Sequence, residues 1–106
     1  MSEQSLQSSS HVVNQILPTD STLQHCCKLS IMEDKPIMFD YWNDSLQKKA
    51  LIGVKNNEEQ EKILIKNEDE YTSPISKIYK TEKEYIIITE NSIYLVSNEI
   101  PTKRVS

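Results

Sequence analysis

The chain has 106 residues, enough for one domain with a modest core, and only 37% of them are hydrophobic. Its formal net charge is −4, so it lacks the positive field that non-specific binding to duplex DNA requires. Apolar runs such as Ile86–Ile88 are far shorter than the roughly 18–20 residues of a membrane span, and the polar N-terminus does not resemble a secretory signal. We therefore expect an acidic, intracellular protein that does not cross a membrane.

Residues 1–27 form a polar leader that contains none of the seven aromatic residues and none of the twelve Lys and Arg residues. We expect the serine-rich residues 1–10 to be disordered. Apolar side chains at i, i+1, i+4 and i+5 then predict a short helix over residues 11–17, ended by Pro18. Such a helix is too short to be stable alone in water, so its apolar face is expected to dock on the domain or on a partner. The apolar face comprises Val12, Val13, Ile16 and Leu17.

The end of the leader predicts a second short helix over roughly residues 21–28, with an early strand that runs to Met32 as the alternative. Cys26 and Cys27 are adjacent, and a disulfide between neighbours would be strained. Zinc sites space their ligands by two or more residues, so His25 beside this pair does not predict one. We expect reduced thiols, no metal and no cofactor.

From residue 28 to residue 98 the hydrophobic period changes to the alternation that is typical of β-strands. About six short strands are predicted, joined by polar turns. They cover residues 36–42, 50–55, 61–66, 75–79, 85–89 and 93–96. Gly53, the only glycine, predicts a bulge, a bend or a close approach to its backbone. The predicted fold is mainly β, a small antiparallel barrel or rolled sheet of SH3-like size, with a frayed tail over residues 99–106.

No motif in the chain predicts catalysis. There is no Gly-x-Ser-x-Gly sequence, and a single glycine excludes a glycine-rich phosphate loop. Both histidines lie in the leader, away from a rigid scaffold. The acidic clusters at residues 58–61 and 68–70 fall in predicted turns, where solvated carboxylates are expected. The protein is therefore expected not to be an enzyme.

Trp42 and Tyr79 are the aromatic residues that best suit a binding surface. Trp42 would share a strand face with Asp40, which predicts an exposed aromatic anchor of the kind that contributes strongly at interfaces. Tyr79 lies close in sequence to Lys77 and Lys80, although packing in the core or between strands is the favoured explanation of a tyrosine there.

These features favour a non-enzymatic module that binds another protein through the apolar face of the leader, Trp42 and Tyr79. The alternative is a β-barrel that binds single-stranded nucleic acid through the same aromatics and nearby lysines. A third hypothesis is a homo-oligomeric structural protein that assembles through an exposed sheet edge. Heavy use of Lys, Ile, Asn and Glu is typical of AT-rich genomes, such as those of large DNA viruses.

Overall fold

The computed structural model describes residues 16–105, which fold into two helices and eight strands. The helices are α1 (Asp20–Glu33) and α2 (Trp42–Leu46). The strands are β1 (Ile37–Met38), β2 (Leu51–Lys55), β3 (Lys62–Asn67), β4 (Glu70–Tyr71), β5 (Ile75–Lys80), β6 (Glu84–Thr89), β7 (Ile93–Ser97) and β8 (Thr102–Val105). The prediction of a mainly β fold is confirmed. The expected disorder of residues 1–10 lies outside the described residues.

The strands form two mixed four-stranded sheets rather than a barrel. The first sheet has the order β1-β7-β6-β5 and the second has the order β4-β3-β2-β8. Each consists of three sequential antiparallel strands extended by one parallel strand, which is β1 in the first sheet and β8 in the second. β1 precedes the second sheet in the chain but pairs with β7 of the first sheet, and β8 follows the first sheet but pairs with β2 of the second. The chain therefore crosses between the two sheets at both ends of the β region. The predicted barrel is wrong because the sheets face each other through side chains, and no ladder joins them within residues 16–105.

The fold has three layers, which are α1, the first sheet and the second sheet, because the first sheet is apolar on both faces. One face packs on the second sheet, where Ile87 and Val96 meet Ile52 and Leu64. The other face packs on α1. That second contact consists of Cys26 and Leu29 against Ile86, Ile88, Ile93 and Leu95. The run Ile86–Ile88 is therefore buried on both sides, as expected of a central strand between two layers.

Helix α1 confirms the predicted helix and shows that the strand alternative to Met32 was wrong. It is 14 residues long, begins after Thr19 and ends at Asp34, which adopts a left-handed conformation with φ 56°. The helix is longer than predicted and crosses the expected boundary between leader and β domain at residues 27 and 28. Its length is set by the face that it packs on the first sheet, which sequence periodicity alone underestimates.

The predicted strand over residues 36–42 is wrong beyond Met38. The chain turns after β1, and Trp42–Leu46 forms α2. Tyr41 and Trp42 are both buried, which is incompatible with consecutive positions of a strand that has one wet face. Ser45, predicted to lie in a turn, is fully buried and accepts a hydrogen bond from the backbone amide of Ser97 at 2.9 Å.

The tail over residues 99–106 was expected to fray, yet Thr102–Val105 forms β8. Ile100 is buried in the core between the sheets, and the Pro101 carbonyl accepts a hydrogen bond from the Ile52 amide at 2.9 Å. These two contacts position the following residues alongside β2 in parallel register. A pairing between residues this far apart in sequence leaves no local signal, which explains why the tail was mispredicted.

Candidate interaction surfaces

The structure brings Ile16, Leu17 and Trp42 together at one end of the molecule. They line two adjacent depressions of about 450 and 370 Å³. Ile16 is 63% exposed and Leu17 is 72% exposed, and neither is helical. The remainder of the predicted helix over residues 11–17, with Val12 and Val13, lies outside the described residues.

Trp42 is not the exposed anchor that the sequence predicted. Only 7% of it is accessible, and its indole Nε1 donates a hydrogen bond to the Ile16 carbonyl at 2.9 Å. The predicted strand would have exposed this side chain, whereas the first turn of α2 rotates it inward. Trp42 therefore holds the end of the leader on the domain, and Ile16 and Leu17 are the exposed groups.

Tyr79 lies apart from this group, on the face of the first sheet that α1 covers. It is half-buried against the core beneath α1, and its ring packs edge-on against His25 with 5.5 Å between centroids. The neighbouring Lys77 and Lys80 are exposed on the same edge strand, β5. Packing thus accounts for Tyr79, which does not line the depressions around Trp42.

A buried carboxylate fixes the start of α1. Glu84 accepts hydrogen bonds from the backbone amide and the hydroxyl of Thr19, at 3.0 and 2.9 Å, and from the Thr81 hydroxyl at 3.2 Å. Glu84 is only 3% exposed. Burial raises the pKa of Glu84, but the hydrogen bonds from Thr19, Thr22 and Thr81 outweigh it and leave the pKa below its ordinary value. Glu84 is thus a charged cap for the helix, supplied by another element of the fold.

An apolar surface that was not predicted from the sequence lies on the second sheet. We call it the open face: the side of the second sheet that points away from the first sheet. It forms a groove of about 700 Å³. Its apolar lining consists of Leu51, Ile63, Ile65, Tyr71 and Val105.

The register of the second sheet places the central side chains of the open face in a row. Leu51 is opposite Ile65, and Ile65 is opposite Tyr71. Ile63 is buried among its neighbours, Leu51 and Ile65 are half-buried, and Tyr71 is 61% exposed. No helix or strand within residues 16–105 packs on this row.

Gly53 shapes the floor of the open face, and the predicted close approach to its backbone is confirmed. A Cβ atom at this position would lie 2.5 Å from Ile65 Cδ1 and 3.1 Å from Val105 Cγ2. The backbone of Gly53 has negative φ, so conformational freedom is not the reason for the glycine. Its lack of a side chain lets Ile65 and Val105 close over β2.

The sequence does carry a signal for the open face. In β3 the run Ile63–Ile65 is apolar at three consecutive positions, as is Ile86–Ile88 in β6. Continuous apolar runs indicate strands that are buried on both faces. In β6 a layer covers each face, whereas among the described residues only the inner face of β3 is covered.

Among the described residues, Cys26 and Tyr41 are buried groups with raised pKa values, and no cluster of metal-ligating side chains occurs. Burial first, and then the neighbouring Cys27, raise the pKa of the Cys26 thiol to about 11, so it is a poor nucleophile. Burial also raises the pKa of Tyr41 to about 12. Within residues 16–105, no three His, Cys, Asp or Glu side chains lie close enough to hold a metal ion. In the same part of the chain, neither helix has the length and apolarity to span a membrane.

A scan against protein-family models, a search of curated proteins and a search of solved structures each returned no match.

Proposed function

We propose that this chain is a non-enzymatic module that binds another protein through the open face. The observation that carries the proposal is the mismatch between β3 and its surroundings. The run Ile63–Ile65 has the apolar pattern of a strand between two layers, but only one layer is present in residues 16–105. A partner that packs on Ile65 and its neighbours would supply the second layer, removing apolar surface from water at about 25 cal/mol per Å².

The chemistry of the buried polar groups supports a binding role over a catalytic one. The Cys26 thiol is held neutral by its raised pKa, and the Glu84 carboxylate is already occupied by hydroxyl and amide donors. Two free, adjacent cysteines also suit a reducing compartment, so we place the module inside the cell.

The alternative function, single-stranded nucleic-acid binding, relied on Trp42 and Tyr79 as stacking platforms. Trp42 is buried and Tyr79 packs beneath α1, so neither offers a free ring face for a base. No specific observation favours this alternative, and we do not propose it.

The test is affinity capture of partners from cells of the source organism, using the full chain and two double variants. In L51D/Y71D, carboxylates flank Ile65 on both sides and disrupt the apolar row. The matched control is I31D/M32D. Ile31 and Met32 are 81% and 76% exposed on α1, in the layer furthest from the open face.

Both double variants have the same net charge and remove two exposed or half-exposed apolar side chains, so they differ mainly in location. We expect L51D/Y71D to lose the captured partner while I31D/M32D retains it, with circular dichroism confirming that both fold. Retention of the partner by L51D/Y71D would contradict the proposal. Loss in I31D/M32D alone would assign binding to α1.

A further inference from the structure

We infer that the partner presents to the open face an acidic peptide segment with bulky apolar side chains, an inference that rests on the proposed function. Two properties of the groove support it: the charge of its rim and the shape of its apolar floor. Together they specify the chemistry that would recognise it.

The rim of the groove is positive although the protein is acidic. Lys49, Lys55 and Lys66 line the groove together with Glu68, and Glu61 lies beside it, 3.9 Å from Lys55. These three lysines and two glutamates leave a local excess of one positive charge on a chain whose net charge is −4. Lys103 lies on the same side of the sheet, as the register partner of Gly53. The charge of the open face is thus opposite in sign to that of the whole protein.

The three lysines of the rim differ in their surroundings. Lys55 lies 3.9 Å from Glu61, and Lys66 Nζ lies 5.6 Å from the centroid of the Tyr41 ring. Lys49 is exposed in the loop that leads into β2. Lysine side chains pack their methylene groups on apolar surface and keep the ammonium group in water, so they can border an apolar floor and attract carboxylates at once.

The floor of the groove fits large apolar side chains. Leu51, Ile65 and Tyr71 form one row across three strands, and Ile63 and Val105 lie beside it. A groove of about 700 Å³ lies within the range of about 300–1,000 Å³ typical of ligand pockets. Apolar side chains on the floor and carboxylates at the rim would satisfy both parts of the surface.

The charge pattern favours a different protein over a second copy of this chain. If two open faces stacked on each other, the lysine rims of both copies would be brought together. Like charges at an interface oppose association, whereas complementary charges accelerate and orient it. The acidic segment is therefore the occupant that we assign.

The experiment uses fluorescence anisotropy with the full chain and three short labelled peptides. One alternates Glu with Leu, one alternates Lys with Leu, and one alternates Glu with Ser. We expect the Glu–Leu peptide to bind about ten-fold or more tightly than either of the others, and its affinity to fall at high salt. No binding of the Glu–Leu peptide, or equal binding of the Glu–Leu and Lys–Leu peptides, would overturn the inference.

Two double variants locate the charge effect. K49E/K55E reverses the rim, whereas K77E/K80E makes the same change on β5, so both carry the same net charge. We expect K49E/K55E to lose its preference for the Glu–Leu peptide and K77E/K80E to keep it. If both lose it equally, overall charge and not the rim is responsible, and the inference fails.

The failure of this inference can be distinguished from failure of the proposed function. If the unmodified chain binds the Glu–Leu and Lys–Leu peptides equally and L51D/Y71D binds neither, the open face binds but does not select by charge, so the inference fails and the proposed function stands. If L51D/Y71D binds the Glu–Leu peptide as the unmodified chain does, both ideas fail. Sedimentation velocity tests whether a second copy of this chain is the occupant. A dimer of the unmodified chain that L51D/Y71D dissociates would show that it is, and would overturn the inference of an acidic partner segment.

Discussion

Substitution of Glu84 by Gln should weaken the attachment of α1 to the first sheet. Glu84 is buried, and its carboxylate accepts hydrogen bonds from the amide and hydroxyl of Thr19, immediately before the helix. Glutamine has nearly the same shape but no charge. It keeps one acceptor oxygen and places an NH₂ group where the second oxygen accepted the Thr81 hydroxyl.

The size of the effect follows from the kind of bond that is lost. A hydrogen bond to a charged group contributes about 1.5–3 kcal/mol, and a carboxylate at a helix N-terminus adds about 0.3–1 kcal/mol. Since glutamine retains part of the bonding, we expect E84Q to lower the free energy of unfolding by about 2 kcal/mol at pH 7. For a domain of this size, the melting temperature would fall by about 8–16 °C.

The pH dependence provides the sharper test. The pKa of Glu84 is lower in the folded protein than its ordinary value of 4.5. Its stabilising contribution is therefore fully present above the unfolded-state pKa, and it is lost as the pH falls through the lower folded-state pKa. The stability difference between the unmodified chain and E84Q should be largest near neutral pH and should shrink in acid.

The assay is urea unfolding followed by circular dichroism, at neutral pH and again well below pH 4.5. E82Q is the matched control, because Glu82 is exposed two residues away and undergoes the same change from carboxylate to amide. A stability gap for E84Q that is the same at both pH values would refute the reasoning, as would a gap no larger than that of E82Q.

Three further predictions follow from the buried groups. S45A should lower the free energy of unfolding by about 1–3 kcal/mol in urea titrations, because the buried Ser97 amide would lose its acceptor; an unchanged midpoint would contradict this. W42A should cost about 3–5 kcal/mol and be visible in the melting temperature, since Trp42 is a core residue; a fold of unchanged stability would restore it as a surface anchor. In thiol titration with a disulfide reagent, exposed Cys27 should react quickly and Cys26 only on unfolding; two fast thiols in the native protein would show that Cys26 is accessible.

The sequence was informative where periodicity is local. Alternation predicted β2, β3, β5, β6 and β7. Each of these strands pairs with a neighbour in sequence, so its turn and its apolar pattern lie in one short segment.

The sequence was uninformative where the pairing is distant. β8 pairs in parallel with β2, about fifty residues earlier in the chain, and β1 pairs in parallel with β7. Without these two pairings, the strands read as one antiparallel series, which led to the predicted barrel. The register of a distant parallel pair depends on the packed core, as at Ile100, and not on adjacent residues.

The candidate site was missed for a different reason. The sequence prediction rested on Trp42, which would share a wet strand face with Asp40 and is of the residue type that contributes strongly at interfaces. A local change from strand to helix at residue 42 was enough to bury it. The better signal was the consecutive apolar run in β3, which indicates two buried faces and becomes informative only when the number of covering layers is known.

The most direct test of the open face as the binding surface is an NMR titration of the ¹⁵N-labelled full chain with the Glu–Leu peptide. We predict that the shifted amide signals cluster at Ile63, Ile65, Tyr71 and Val105, which line the groove. The chemical shift of the indole N–H of Trp42, the single tryptophan, should not change, because Trp42 lines the depressions beside Ile16 and Leu17 and not the open face. A shift of the Trp42 indole with unchanged amides on the second sheet would contradict the account and assign binding to the groove around Ile16 and Leu17.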